Sequence, residues 1–325
     1  MENETVIQVC NLKKRFGLDA GFFAKADQHV YAVNDVSFEI KRGQTYGLVG
    51  ESGCGKTTTA RLLIRMYEAE HGNVIYYGDK KIRDVRKMGK KELALFREKV
   101  RYIFQDPSRS LDPRLTVYDI LTSSLKYSSK WKGKEDARAK AAAILEETGL
   151  DAKDLDRKPS EFSGGQRQRI SIARGLIMEP EVLVCDEVVS ALDVSVQAQI
   201  LNLLQDLRKK RGLSFLFIAH DLKVSCWFCD TIGVMYRGML VEEGPAKDMY
   251  RDALHPYTQA LFAGAGGQFA VEKNGEMNTL LESPRGCPYA HRCSKATEKC
   301  REEIPEWKEV SEGHKVRCFN ISELS

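Results

Sequence analysis

Three glycines, a lysine and a threonine are gathered in Gly50-Glu51-Ser52-Gly53-Cys54-Gly55-Lys56-Thr57. The chemistry open to these residue types at this spacing is the holding of phosphate. Glycines let successive backbone N–H groups turn inward around anionic oxygens. A helix starting near Gly55 adds the positive end of its dipole. Lys56 is expected on β- and γ-phosphates and the Thr57 hydroxyl on a magnesium ion, with Ser52 and Thr58 belonging to the same cradle.

Two acids supply the matching chemistry. Asp186 and Glu187 end the apolar run that begins at Val182. Asp186 is placed to hold Mg²⁺ through water, and Glu187 to take a proton from an attacking water. Gln105 ends another strand, where ligands gather in open α/β sheets, and is expected to touch both metal and water. His220 ends a third. Alone, Gln105 reads as a surface polar residue and His220 as a structural histidine; beside the other motifs both read as site residues. Ser163-Gly164-Gly165-Gln166 is a second anion cradle at a helix start. Two cradles in one chain suggest that the second serves another molecule's nucleotide.

The elements that must position these residues follow from periodicity. Gln44–Val49 is a short apolar strand and Thr58–Met66 a helix, the strand–loop–helix setting a P-loop requires. Residues 6–16 and 32–40 alternate like antiparallel strands, with a loop from Gly17 to Gln28 between them. Residues 72–78 form a further strand, and the basic stretch 80–101, with acids interspersed, reads as a solvated helix face, with attraction to acidic lipid head groups as the other reading. A strand at 100–104 is followed by amphipathic helices at 116–127 and 135–148. Ser163 and Gln166 have capping-box spacing at the head of a helix reaching Met178. Residues 182–187 read as a central parallel strand and 194–211 as a long helix closed by Gly212. Strands at 213–219, 231–235 and 239–242 complete the pattern. The fold class expected is α/β, a P-loop NTPase with a parallel core sheet, an antiparallel β layer and a helical subdomain at about 106–178.

Composition narrows the classes. With 325 residues, one large or two smaller domains are expected. Fifty basic against 46 acidic residues, net +4, are too balanced to imply nucleic acid. No run approaches the 18 apolar residues of a membrane span, and the acidic start is not followed by a signal-type apolar region. The expectation is a chain in the cytoplasm. Of nine cysteines, four crowd the C-terminus, which in a reducing compartment points to metal rather than disulfides.

Over about residues 5 to 250 the sequence resembles the ATP-binding subunits of ABC transporters. Gly50–Thr57 matches Walker A, Gln105 the Q-loop, Ser163–Gln166 the signature, Asp186 and Glu187 Walker B and the catalytic glutamate, Ser190–Asp193 the D-loop, and His220 the switch histidine. Phe16 stands where the family stacks an aromatic residue on adenine. Val188 departs from the proline usual after the glutamate. Phe104-Gln105-Asp106-Pro107, Ser110-Leu111-Asp112-Pro113-Arg114, Glu243-Gly244-Pro245 and His255-Pro256-Tyr257-Thr258 are similar to the dipeptide/oligopeptide (and nickel) importer branch, the Asp112-Pro113-Arg114 spelling to the second ATPase of its pair. The resemblance implies ATP and Mg²⁺ as ligands, and ATP sandwiched between Walker A of one subunit and the signature of a second, paralogous one. It also implies two transmembrane permease subunits touching about Gln105–Tyr127, an extracytoplasmic solute-binding protein, and a peripheral place on the cytoplasmic face of the membrane. A nickel importer's ATPase and a soluble, non-transport ABC ATPase are the alternatives; the latter expects two cassettes or a long coiled coil, which this chain lacks.

The ATP-binding domain is expected at 1–252, followed by a linker and Cys-rich tail at 253–325. Cys287, Cys293, Cys300 and Cys318 are spaced C-x5-C-x6-C-x17-C, unlike zinc ribbons or ferredoxin runs. A tail this small usually needs a staple. The resemblance implies a 4Fe-4S cluster here; zinc and free thiols are the other readings.

Overall fold

Alternating apolar residues build two long antiparallel strands at the start of the chain, β1 (Thr5–Gly17) and β2 (His29–Lys41). Their apolar members Val6, Ile7, Val9, Leu12, Val36, Phe38 and Ile40 are buried. The computed structural model describes residues 4–17, 29–78, 81–264 and 285–321. Most of the loop expected at Gly17–Gln28, and residues 265–284 of the expected linker and tail, lie outside them.

β3 (Thr45–Val49) is buried at every residue, as its unbroken apolar run requires. It leads through the glycine loop into α1 (Lys56–Leu63). β4 (His71–Gly78) and β5 (Lys81–Asp84) complete a four-stranded antiparallel layer in the order β2-β1-β4-β5. The basic stretch expected as one helix face is divided: β5, a 3-10 turn at Val85–Lys87, then α2 (Lys90–Lys99). In α2 Phe96 alone is buried, so this helix does present a solvated face.

The chain separates into two compact units, residues 1–88 with 217–325, and 89–216. In the second unit β6 (Val100–Ile103) lies parallel to β7 (Val182–Asp186), in register Val100↔Val182 to Ile103↔Cys185. Between them in sequence come α3 (Pro107–Ser110), α4 (Val117–Thr122), α5 (Lys134–Glu147) and α6 (Gly164–Leu176). Where a helix was expected to reach Tyr127, α4 stops and a 3-10 turn takes over. α7 (Val194–Arg211) ends on Gly212 at φ 65°, a left-handed C-cap that glycine adopts without a Cβ penalty.

β8 (Ser214–Ala219) and α8 (Leu222–Phe228) lead back into the first unit. There β9 (Thr231–Tyr236) runs parallel to β3 and hairpins into β10 (Met239–Pro245). After α9 (Ala246–Arg251), α10 (Pro256–Gly264) and α11 (Glu298–Glu302), the tail forms a hairpin of β11 (Lys308–Ser311) and β12 (His314–Val316). β12 pairs with β10 through Glu242↔Val316 and Glu243↔Lys315. The tail therefore extends the sheet that carries β3.

Candidate functional site

β3 delivers the glycine loop and α1 takes it up. Gly55 holds φ 110°, and a Cβ there would meet the Ala32 carbonyl oxygen at 2.1 Å, so the turn admits only glycine. The Lys56 ammonium is buried and donates to the carbonyls of Gly50, at 2.7 Å, and Glu51, at 2.9 Å. Thr57 and Thr58 lie half-buried in the first turn, Ser52 and Gly53 on the exposed crest. Burial raises the Cys54 thiol, keeping it neutral beside the lysine.

Phe16, half-buried at the end of β1, packs edge-on against Tyr67 with ring centroids 5.4 Å apart, and Lys14 lies over its face. His220 is exposed just past the C-terminal end of β8, with Asp221 capping α8 beside it through the Val224 N–H.

In the second unit the acids ending β7 differ in setting. Asp186 is buried and accepts the Tyr102 hydroxyl, a partner on β6 that the sequence reading missed. Glu187 is half-buried and accepts a hydrogen bond from the Gln105 amide at 2.7 Å, so the structure brings these two predicted residues together. Glu187 sits at φ 49°, a left-handed backbone that is uncommon outside glycine and strained. The Ser190 hydroxyl holds it by donating to the Glu187 carbonyl at 2.7 Å. A proline at 188 would press residue 187 toward extended backbone; Val188 leaves it free to turn, and is itself buried.

Ser163 caps α6 as its spacing predicts. Its hydroxyl accepts from the Gln166 backbone N–H, and the Gln166 side-chain Oε1 accepts from the Ser163 N–H at 2.9 Å. Such a cap stabilises a helix by about 0.5–2 kcal/mol. Ser163, Gly164 and Gln166 are exposed. Gly165 is needed for packing, since a Cβ would lie 2.6 Å from the Val196 side chain.

Cys287, Cys293, Cys300 and Cys318 all line one cavity of about 20 Å³, with His255, Tyr289 and Phe319. Burial pushes the Cys287 thiol up to about 11 and raises that of Cys318. Among the described residues no group of three or more His, Cys, Asp or Glu has the arrangement of a metal site. The thiols thus converge without standing at ligand geometry.

The sequence reading also missed how the His255–Thr258 motif and the tail reach the glycine loop. His255 is buried, which pushes it down to about 4, and its Nδ1 accepts the Tyr257 N–H. The Tyr257 hydroxyl accepts the backbone N–H of Glu51 at 2.9 Å. Arg292 pairs with the Glu51 carboxylate at 3.1 Å. Beneath them Glu242, fully buried, accepts from the N–H groups of Leu254 and His255 and from His314 Nε2. The branch motif at His255–Thr258 was the available signal for the Tyr257 contact.

A family model described as ABC transporter matches residues 33–190, and one described as oligopeptide/dipeptide transporter, C-terminal region, matches residues 241–300. The chain is 42% identical over 326 residues to the dipeptide transport ATP-binding protein DppF of Haemophilus influenzae, covering 98% of each. It is 42% identical over 316 residues to the oligopeptide transport ATP-binding protein OppF of Bacillus subtilis, covering 97% of this chain and 96% of that one. Among solved structures, the ATP-binding cassette MJ0796, dimeric in a post-hydrolysis state with ADP and phosphate, matches at a TM-score of 0.63 and 26% identity, over 74% of this chain and 99% of that one.

Proposed function

The chain belongs to the ABC transporter family, in its dipeptide and oligopeptide branch, and from that membership we propose that it is the ATP-hydrolysing subunit of an importer of short peptides. Its fold is the α/β fold of ATP-binding cassettes. The observation that carries the function is the likeness to peptide-transport ATPases along 98% of the chain. The match of the C-terminal region to the oligopeptide/dipeptide model favours peptides over nickel.

Each residue has a role in this reading. The loop Gly50–Thr58, Ser52 included, wraps the phosphates with N–H groups, and Lys56 supplies the fixed positive charge. Phe16 offers a ring face to adenine. Thr57, Gln105 and Asp186 offer hydroxyl, amide and carboxylate oxygens, the hard donors a magnesium ion would take; held there, it would supply neutralisation of phosphate charge. Glu187, oriented by Gln105, accepts the proton of the attacking water, and His220 assists from the end of β8. The exposed signature Ser163–Gln166 serves the nucleotide of a second, paralogous subunit. The chain works with membrane permease subunits, and a solute-binding protein delivers the peptide. Among the described residues no helix is long and apolar enough to cross a membrane, in keeping with a peripheral place on the cytoplasmic face. Residues 1–252 form the cassette and 253–325 its extension. An iron–sulfur cluster as the staple of that extension would require the four cysteines, which line one cavity, to draw into ligand geometry around it, and iron analysis after anaerobic purification tests it.

Lys56→Ala should abolish MgATP binding and the uptake of labelled peptide. The purified wild-type chain should hydrolyse ATP slowly, at a specific rate that rises with protein concentration as copies pair. Wild-type affinity in the variant, or robust turnover independent of concentration, would overturn the reading.

A further inference from the structure

Glu51 is the second residue of a loop read as an anion cradle, and its carboxylate cancels the one fixed cation inside the loop, Lys56. The chain supplies a replacement from far away in sequence. Arg292 Nη1 lies 3.1 Å and 3.3 Å from the two Glu51 carboxylate oxygens. The guanidinium is placed by an aromatic cluster. It lies 6.0 Å from the centroid of the Tyr289 ring, which packs against Tyr236 at 5.2 Å and Tyr257 at 5.3 Å. The neighbouring His291 ring nitrogen meets the Tyr236 hydroxyl at 3.3 Å. Tyr257 in turn holds the Glu51 backbone. The segment is anchored by β12 on β10 and by the Arg317 N–H donating to the Val241 carbonyl at 2.8 Å.

We propose that Arg292 is a positioning residue of the phosphate loop, neutralising Glu51 so that the affinity for nucleotide is set in part by the cysteine-rich tail. The inference rests on the reading of Gly50–Thr57 as a nucleotide cradle. With Arg292 in place the three charged groups sum to +1; without it they sum to zero, and a triphosphate loses the attraction of one unit charge. The pair is not deeply buried: the side chains are 46% and 28% exposed. Water and salt therefore screen it, and the effect belongs at the scale of partly exposed charge pairs.

The test measures the dissociation constant of MgATP by calorimetry on the full chain, with a hydrolysis-blocking temperature or analogue. Arg292→Ala should weaken binding about twofold to fivefold at low salt, and the deficit should shrink at 0.5 M salt. Glu51→Gln should bind more tightly than wild type. The double variant should return to within about twofold of wild type, because the charge sum is again +1. Arg292→Lys should retain most of the affinity. A tail that matters only as scaffold gives a different result: the double variant stays as weak as Arg292→Ala, which overturns the inference. Wild-type affinity in Arg292→Ala beside a loss in Lys56→Ala overturns it alone; wild-type affinity in both removes the cradle reading as well.

Discussion

Replacing Glu242 by glutamine changes one atom and should cost more stability than most core substitutions of that size. One carboxylate oxygen accepts the Leu254 N–H at 2.7 Å and His314 Nε2 at 2.8 Å; the other accepts the His255 N–H at 2.9 Å. Every partner is a donor. Glutamine keeps one oxygen, and whichever way its amide turns, an NH₂ group faces a backbone N–H. A buried donor left unsatisfied costs about 1–3 kcal/mol. The remaining contact with His314 falls from charge-assisted to neutral, about 1 kcal/mol more. The expected loss is about 2–4 kcal/mol, or roughly 5–15 °C in Tm at the scaling of a domain of 150–250 residues. The neighbouring Glu243 gives the contrast. It accepts the Tyr46 hydroxyl at 2.7 Å and pairs with the half-exposed Lys315, so a glutamine there still accepts the phenol and should cost about 1 kcal/mol or less. Urea unfolding followed by the fluorescence of Trp307, which lies under Lys315 and Arg317, would measure both. Equal midpoints for Glu242→Gln and wild type, or a larger loss in Glu243→Gln, would refute the donor count.

Glu187→Gln should keep MgATP affinity while slowing turnover about 10²–10⁴-fold, the usual contribution of a general base; single-turnover assays showing near-normal rates would transfer the role, with His220 the next residue to test. Burial, and secondarily Asp221, pushes the Cys226 thiol up to about 11, so the folded chain holds it neutral at pH 8. Its alkylation, followed by peptide mapping, should rise about tenfold per pH unit from 8 to 10 and level only above 11; a plateau by pH 9 would show an unperturbed thiol.

How much of this was legible beforehand depends on the range of the interaction. The strand–loop–helix around Lys56, the Ser163–Gln166 cap and the left-handed Gly212 all rest on residues within a few positions of one another, and each stands as its local pattern implied. The basic stretch 80–101 was partly misread because β5 is too short, and too exposed on its Lys81–Ile82 end, to show alternation. β11 is exposed throughout and carries no apolar period at all. Contacts of long range left no pattern to follow: Tyr257 and Arg292 reach Glu51 across 206 and 241 residues, and Tyr102 reaches Asp186 across 84. The left-handed Glu187 was equally hidden, since Val188 hints only that the usual proline constraint is missing.

The first unit is made from both ends of the chain, with Gly89–Leu216 inserted between them, and this sets an order on its synthesis. β3 leaves the ribosome early, but its parallel partner β9 follows only about 180 residues later, a delay of roughly ten to forty seconds at ordinary elongation rates. The inserted unit is contiguous and can close as soon as it emerges. The phosphate loop, by contrast, stays without β9, Tyr257 and Arg292 until those residues, about 180 to 240 positions later, have been made. A nascent chain arrested before Thr231 should accordingly be protease-resistant within 89–216 and cut within 4–88. Messages broken in that interval would release a product whose apolar β3 lacks β9, leaving an edge that recruits other chains.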